Sequence, residues 1–434
     1  MKRKILLSGA FILLTIWLGY VVQRANFPAL IITYSTFFIL YFGITVSTSS
    51  ADRNFWCWLG ILLRVILLFN IPNLSDDLYR FIWDGRLIIN GLNPFDHLPH
   101  YYIEHHILPE SLTPALYEQL NSKSYYTIYP PIAQAVFALA CWLFPYNMLG
   151  SMIVMKLILL SGEIGSILLI IKILDKLNLP KQQVILYALN PLLIFEIVGN
   201  LHFEGLMIFF LLLSFWLIIT NRILFAALAM AGAIASKLVP LLLLPFLLTK
   251  FNIKKSLIYF TTLGITLILL FIPLLNTFFF NHFGESLNLY FRQFEFNASF
   301  YYIVRWLGYQ IEGYNLVKRI GPALALLVFI LIITFAIIRR HKDWQSLPES
   351  WLFAVSIYLL FATTVHPWYI TLPLTFSIFT KWRYPVIWSG ATWLSYSHYW
   401  GGHFQENYLL ILTEYVIVML FFIWEYKYRI LQRN

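Results

Sequence analysis

The run Ser75-Asp76-Asp77-Leu78-Tyr79-Arg80-Phe81-Ile82-Trp83-Asp84-Gly85-Arg86 is the densest chemistry in this chain. Wound as a helix, it sets Asp77, Arg80 and Asp84 three to four residues apart, on one face. Ser75 or Asp76 is the natural cap. Two readings are open. Asp77 and Arg80 could be a surface ion pair, contributing about 0–1 kcal/mol. Alternatively, a carboxylate that can accept a proton stands beside a guanidinium that can neutralise a phosphate. That arrangement suits a substrate with a hydroxyl to activate and a phosphate to release.

The elements that must hold this run are membrane helices. Of 434 residues, 60% are hydrophobic and 12% charged. A soluble domain would have about 45–50% and about 25%, so soluble, disordered and fibrous classes are excluded. At roughly 20 apolar residues per span, the chain supplies a dozen or more membrane helices. The net charge of +10 reads as positive-inside topology, and no nucleic-acid partner is expected. The two cysteines, Cys57 and Cys141, lie inside apolar stretches, so no disulfide framework or zinc site is expected. Lys2-Arg3-Lys4 opens an apolar run with no small-residue cleavage site, which predicts a retained first helix.

Nineteen of the 30 Lys and Arg fall in short connections or tails that alternate along the chain, from Lys2 through Lys176, Lys254, Arg339 and Lys342 to Arg433. They place those connections and both termini in the cytoplasm. Residues 73–130 and about 276–318 are then the two long outer segments, and the first holds seven of the 20 acids. Segment 131–147, opening on Pro130-Pro131, must not cross fully, or Lys172 to Lys181 would lie outside. The segments 222–249 and 351–380 exceed one span and carry Pro240, Pro245 and Pro367, predicting pairs of short helices at breaks. Residues 276–318 are expected along the interface as an amphipathic helix. Arg64, Lys156, Glu163 and Glu196 lie within spans, and Lys156 is expected to pair with Glu163. Asn297-Ala298-Ser299 fits a glycosylation sequon. No repeat or phosphate-binding glycine loop appears, so residues 1–434 form one integral membrane domain.

The run Asp77-x-x-Arg80-Phe-x-Trp83-Asp84-Gly85-Arg86, followed by Gly91-Leu92-Asn93-Pro94-Phe95 and Pro99, resembles the first outer loop of C-type (GT-C) polytopic membrane glycosyltransferases. More narrowly it is similar to the bacterial mannosyltransferase-like group, related to glycosyltransferase family 87 and to the enzyme adding the first mannose of the GPI anchor. Other segments agree in order: Tyr129-Pro130-Pro131-x-x-Gln134, Asn190-Pro191-Leu192, Gly199-Asn200-x-His202-x-Glu204, Lys237-Leu238-x-Pro240 and His366-Pro367-Trp368-Tyr369. The chain departs from the commoner pattern at His202-Phe203-Glu204, where a His-Asn-Asp-like run is expected.

The resemblance implies an all-α membrane bundle of about 12–14 transmembrane helices, some short or broken, with short interfacial helices in a long first outer loop. It implies an inverting transfer of a sugar, mannose by the resemblance, from a polyprenyl phosphate to an acceptor hydroxyl on a lipid, glycan or protein. The setting is a bacterial inner membrane with the site facing the periplasm. Asp77 is the expected base, or Asp76 if Asp77 is structural. Arg80, Lys237, Arg86 and His366 are candidates for the donor phosphate. Trp83, Asp84, Tyr129, His202, Glu204, Trp368 and Tyr369 are candidates for substrate contact. No cofactor is expected and no metal is assigned, because Asp76 and Asp77 alone are too few for a cage. A lipid or glycan transporter is the competing class. It explains spans and intramembrane charges, but not an acid-rich outer loop, and no inverted repeat supports it. A membrane scaffold without chemistry is weaker still.

Overall fold

The computed structural model describes residues 2–340 and 343–431. Lys342 and Arg433, counted above among the cytoplasmic charges, lie outside the described residues. The chain is an all-α membrane protein. Among the described residues the only β pairing is an isolated bridge between Phe296 and Thr364.

Helices α1 (Lys2–Ile16), α2 (Phe27–Ser47) and α3 (Arg53–Ile66) form the first layer. Asn26 caps α2, its side chain accepting from the Ala29 N–H. The first long loop carries α4 (Asp77–Ile89), α5 (Pro99–Glu104) and α6 (Pro114–Glu118). It closes on α7 (Pro131–Leu143) and α8 (Met148–Lys176). At 13 residues, α7 is about 20 Å long, short of the roughly 30 Å hydrocarbon core. The length is that of a segment that does not cross fully.

Two short helices, α9 (Ile185–Ala188) and α10 (Pro191–Leu193), meet across a 50° bend. A π-helical turn over Ile194–Gly199 leads to α11 (Glu204–Ile219). Segment 222–249 is broken as its prolines predict, into α12 (Ile223–Ser236) and α13 (Leu244–Lys250). Helix α14 (Ile253–Phe271) precedes α15 (Phe279–Arg292) and α16 (Phe300–Glu312), the helices of the second long loop. Then come α17 (Val317–Ile338), α18 (Leu347–Phe361), α19 (Thr371–Ser377), α20 (Tyr384–Ala391) and α21 (Tyr408–Leu431). The break between α18 and α19 holds His366 and Pro367.

Among the described residues six helices are long and apolar enough to cross a membrane, or seven with the bent pair counted as one span. Their outward residues (Leu6, Leu13, Ile268, Leu420) are more than half exposed, as hydrocarbon rather than water would permit. Shorter apolar helices, Glu204–Ile219 and Ile223–Ser236 among them, are packed inside.

Charges inside the bundle are satisfied, though not as expected. Glu163 pairs with Arg64 at 2.9 Å, not with Lys156, and also accepts from Tyr187 Oη at 2.6 Å. Lys156 Nζ instead donates to the carbonyls of Leu67, Asn70 and Gly199 and to Asn70 Oδ1, at 2.6–3.0 Å. It gathers the ends of α3 and the π-helical turn, whose carbonyls are left over by the helix termini. The sequon also fails as an acceptor. Asn297 is fully buried and its Nδ2 donates to Glu414 at 3.0 Å.

Candidate active site

The site is built from helix ends. Asp76 immediately precedes α4 but does not cap it. Arg24, in the turn between α1 and α2, donates to Asp76 Oδ2 at 2.9 Å. The same guanidinium lies 4.4 Å from the centre of the Tyr399 ring. Ser75 Oγ accepts from the Asp77 N–H at 3.3 Å. Asp77, half-buried, accepts one long bond from Asn121 Nδ2 at 3.3 Å and forms no ion pair among the described residues. Loss of water around it pushes its carboxyl above the ordinary range, while the charge of Lys237 and the Asn121 bond pull the other way. Asp76 adds to the rise.

Lys237 stands where α12 ends, in extended backbone. Its ammonium is close enough to act on Asp77, ion-pairs with Glu204, and lies 5.6 Å from the Tyr369 ring centre. Glu204 is the first residue of α11, where the helix dipole favours a negative charge. It is 2% exposed, and its Oε2 has no hydrogen-bond partner among the described residues. Just before it, Leu201 takes a left-handed φ of 66°, turning the chain between the π-helical turn and α11.

His202 stacks on Trp368 with ring centres 3.8 Å apart, and Trp368 stacks on His366 at 4.3 Å with planes 7° apart. Behind His202, its Nε2 lies 3.3 Å from Glu196 Oε2 without hydrogen-bond alignment. Glu196 accepts from Tyr396 Oη at 2.7 Å and Asn200 Nδ2 at 3.3 Å. Tyr129 packs edge-on against Phe81 and Phe137, within reach of the charges of Asp77 and Glu204.

Thus Asp77, Lys237, Glu204, His202, Trp368, Tyr369, His366 and Tyr129 converge. The remaining α4 candidates do not. Arg80, 3% exposed, turns to Asp84 Oδ1 at 2.8 Å and to the carbonyls of Ser122 and Tyr125. It stitches the loop down and is not presented to a phosphate. Asp84, fully buried, also accepts from Gln134 Nε2 at 3.0 Å. Arg86 donates to the Ser111 carbonyl at 2.6 Å. Trp83 is fully buried between Tyr102 and Tyr117, so it offers no face to a sugar. The reason for this inward packing is Gly85: a Cβ there would lie 2.5 Å from the Phe137 carbonyl oxygen, so α4 and α7 approach backbone to backbone.

Sequence reasoning missed Arg24, Asn121 and Tyr399. Arg24 had a signal, a lone cation on the non-cytoplasmic side of the predicted topology, as at Lys237. Among the described residues no three His, Cys, Asp or Glu side chains converge as a metal cage would require.

A second feature lies beside the cleft. A lateral apolar groove of about 600 Å³ runs between α16, α18, α20 and α21, lined by Tyr302, Trp306, Phe353, Tyr408, Met419 and Phe422 among others. The Arg305 guanidinium lies 4.3 Å and 5.7 Å from the ring centres of Tyr302 and Tyr408 at its rim.

Residues 3–251, more than half of the chain, match the family model described as alpha-(1->6)-mannopyranosyltransferase, N-terminal domain (MptA_B family). No curated protein matches the chain. The matched span carries Asp76, Asp77, His202, Glu204 and Lys237, whereas His366, Trp368 and Tyr369 lie beyond it.

Proposed function

The chain belongs to the alpha-(1->6)-mannopyranosyltransferase family, and from that premise we propose an inverting transfer of mannose from a polyprenyl-phosphate carrier to a glycan hydroxyl at the outer membrane face. Mannosyl transfer in general, with a sugar donor and a glycan acceptor, is the family's activity. The carrier, the stereochemistry and the side are the further reading. Free, lipid-borne and protein-borne glycans all fit as acceptors.

One observation carries the reading. Among the described residues Asp77 is a carboxylate at the cleft with no ion-pairing cation, and it lies within the field of Lys237. Asp77 takes the proton of the acceptor hydroxyl as its oxygen attacks the anomeric carbon. The bond from that carbon to the phosphate oxygen breaks, and the phosphate leaves with the electron pair. Lys237 holds the charge that develops there. Glu204 and Tyr369 fix the ammonium, and the His202–Trp368–His366 stack offers a flat wall to the sugar.

The groove supports a lipid carrier. Its lining begins at Ala298 and Ser299, two residues beyond Phe296, whose ring lies 4.5 Å from His366. A polyprenyl chain in the groove would deliver its phosphate to the cleft's histidine side. The outer face is supported by the course of α8. Lys156 is bound beside the loop, and Lys176 lies 20 residues further, about 30 Å away. The basic connections are therefore remote from Asp77, as cytoplasmic ones would be.

The test uses purified protein in lipid, labelled polyprenyl-phosphate mannose and a glycolipid extract. The expected result is transfer by wild type that is lost in Asp77→Asn. Transfer from a nucleotide-activated mannose alone would overturn the carrier.

A further inference from the structure

We propose that the Phe296 side chain occupies a pyranose-binding subsite whose floor is His398 and Thr364. The inference rests on the sugar-transfer reading only for the class of ring that displaces it.

Phe296 extends the aromatic stack of the cleft. Its ring centre lies 4.5 Å from His366, so four rings, His202, Trp368, His366 and Phe296, form one column. Phe296 also meets His398 edge-on at 5.0 Å. His398 is fully buried, yet neither ring nitrogen has a hydrogen-bond partner among the described residues. Thr364 Oγ1, on the residue bridged to Phe296, is likewise buried and unpartnered, and so is Asn297 Oδ1, on the next residue of the chain. Each such atom is unfavourable in a folded chain. Three of them stand on His398, packed against the ring, and on Thr364, bridged to its residue, too many to be incidental.

What they can serve is a ring of Phe296's size with a polar edge. The C–H face of a pyranose stacks on aromatic rings. Its hydroxyls both donate and accept, as two histidine nitrogens and a threonine hydroxyl require. Phe296 supplies the stacking and none of the hydrogen bonds.

The strap that carries Phe296 is held by its backbone. Phe296 N–H donates to the Thr363 carbonyl at 3.1 Å, Val365 N–H donates to the Phe296 carbonyl at 2.8 Å, and Tyr415 Oη donates to the Asn297 carbonyl at 2.6 Å. A rotamer change can therefore swing the ring from His366 while these bonds persist. The subsite adjoins the cleft at His366 and the groove through Ala298.

The test is direct binding of methyl α-mannopyranoside to detergent-solubilised protein, read by saturation-transfer NMR, with methyl α-glucopyranoside as the comparison ring. Phe296→Ala should raise mannoside affinity about tenfold over wild type. Phe296→Leu, which keeps an apolar plug, should bind as wild type does. Adding His398→Ala to Phe296→Ala should abolish the gain, and His398→Gln should retain part of it. Affinity unchanged across the series, or a gain surviving His398→Ala, overturns the proposal. Should Phe296→Ala fail to fold, His398→Ala in the intact strap is read instead. It should raise the donor KM with kcat little changed, and an unchanged KM overturns the subsite. The predicted binding pattern in a protein without transfer activity would sink the transfer reading and leave the subsite standing. Transfer without that pattern does the reverse.

Discussion

Arg24 and Asp76 form an ion pair at 2.9 Å, while the next carboxylate in the chain, Asp77, has no ion-pairing cation among the described residues. The pair divides two adjacent, chemically identical side chains into different tasks. Asp76 is neutralised and ties the α1–α2 turn to the start of α4. Asp77 keeps its basicity.

This division is testable by comparing the two asparagine variants. Asp77→Asn should lower transfer by about 10²–10⁴-fold, the range of a lost general base. Asp76→Asn and Arg24→Ala should each lower it only several-fold, and by similar factors, because both break the same tether. Initial rates with labelled donor decide it. A larger loss at Asp76 would reverse the assignment.

The raised carboxyl of Asp77 sets a pH dependence. In its proposed role as base Asp77 works only when ionised, so activity should fall as pH drops through its raised pKa, above the ordinary aspartate value of about 3.9. Lys237 lowers that pKa, so Lys237→Gln should move the acid limb of kcat/KM to higher pH as well as slowing transfer. The stability sign is opposite. A carboxyl raised on folding favours the folded state below its unfolded pKa, and that advantage is lost as pH rises through the folded one. At neutral pH Asp77→Asn should therefore melt no lower than wild type. An acid limb unmoved by Lys237→Gln would show that another group titrates.

Arg80 should prove a matter of folding rather than of phosphate affinity. Arg80→Ala leaves Asp84 as a buried charge without its cation, an effect of about 3–5 kcal/mol in comparable buried pairs. Thermal unfolding in lipid should show the loss. Donor KM in the surviving folded fraction should change little, and a selective rise in KM would return Arg80 to the phosphate.

Much of the cleft was legible from motifs. Lys237, Glu204, His202 and His366 each stand at an expected break, because Pro240 and Pro367 or a left-handed Leu201 stop the helix there. What spacing could not resolve was partner choice. Arg80 has Asp77 three residues before it and Asp84 four after, and only the loop carbonyls of Ser122 and Tyr125 show which way it turns. Glu163 likewise has Lys156 seven residues back on its own helix, yet α3 brings Arg64 to it from 99 residues away. Tyr399, His398 and Phe296 carried no motif. They reach the site through turns whose path depends on packing, such as the single bridge at Thr364.

The buried pair of Arg64 and Glu163 should also order the chain's assembly during synthesis. Arg64 emerges 99 residues before its partner. A lone arginine in an inserting helix is unfavourable, by up to about 2.5–3.5 kcal/mol at the bilayer centre, and α3, with Arg64 in its last turn, is only 14 residues long. Until α8 arrives, α3 has reason to wait at the bilayer's edge. Entry of Glu163 releases it, and Lys156 on the same helix then fastens the end of α3 beside the loop. Chains arrested before Glu163 should leave α3 extractable by alkaline wash, and chains arrested after α8 should not. Equal extraction from both would mean that α3 settles without its counter-charge.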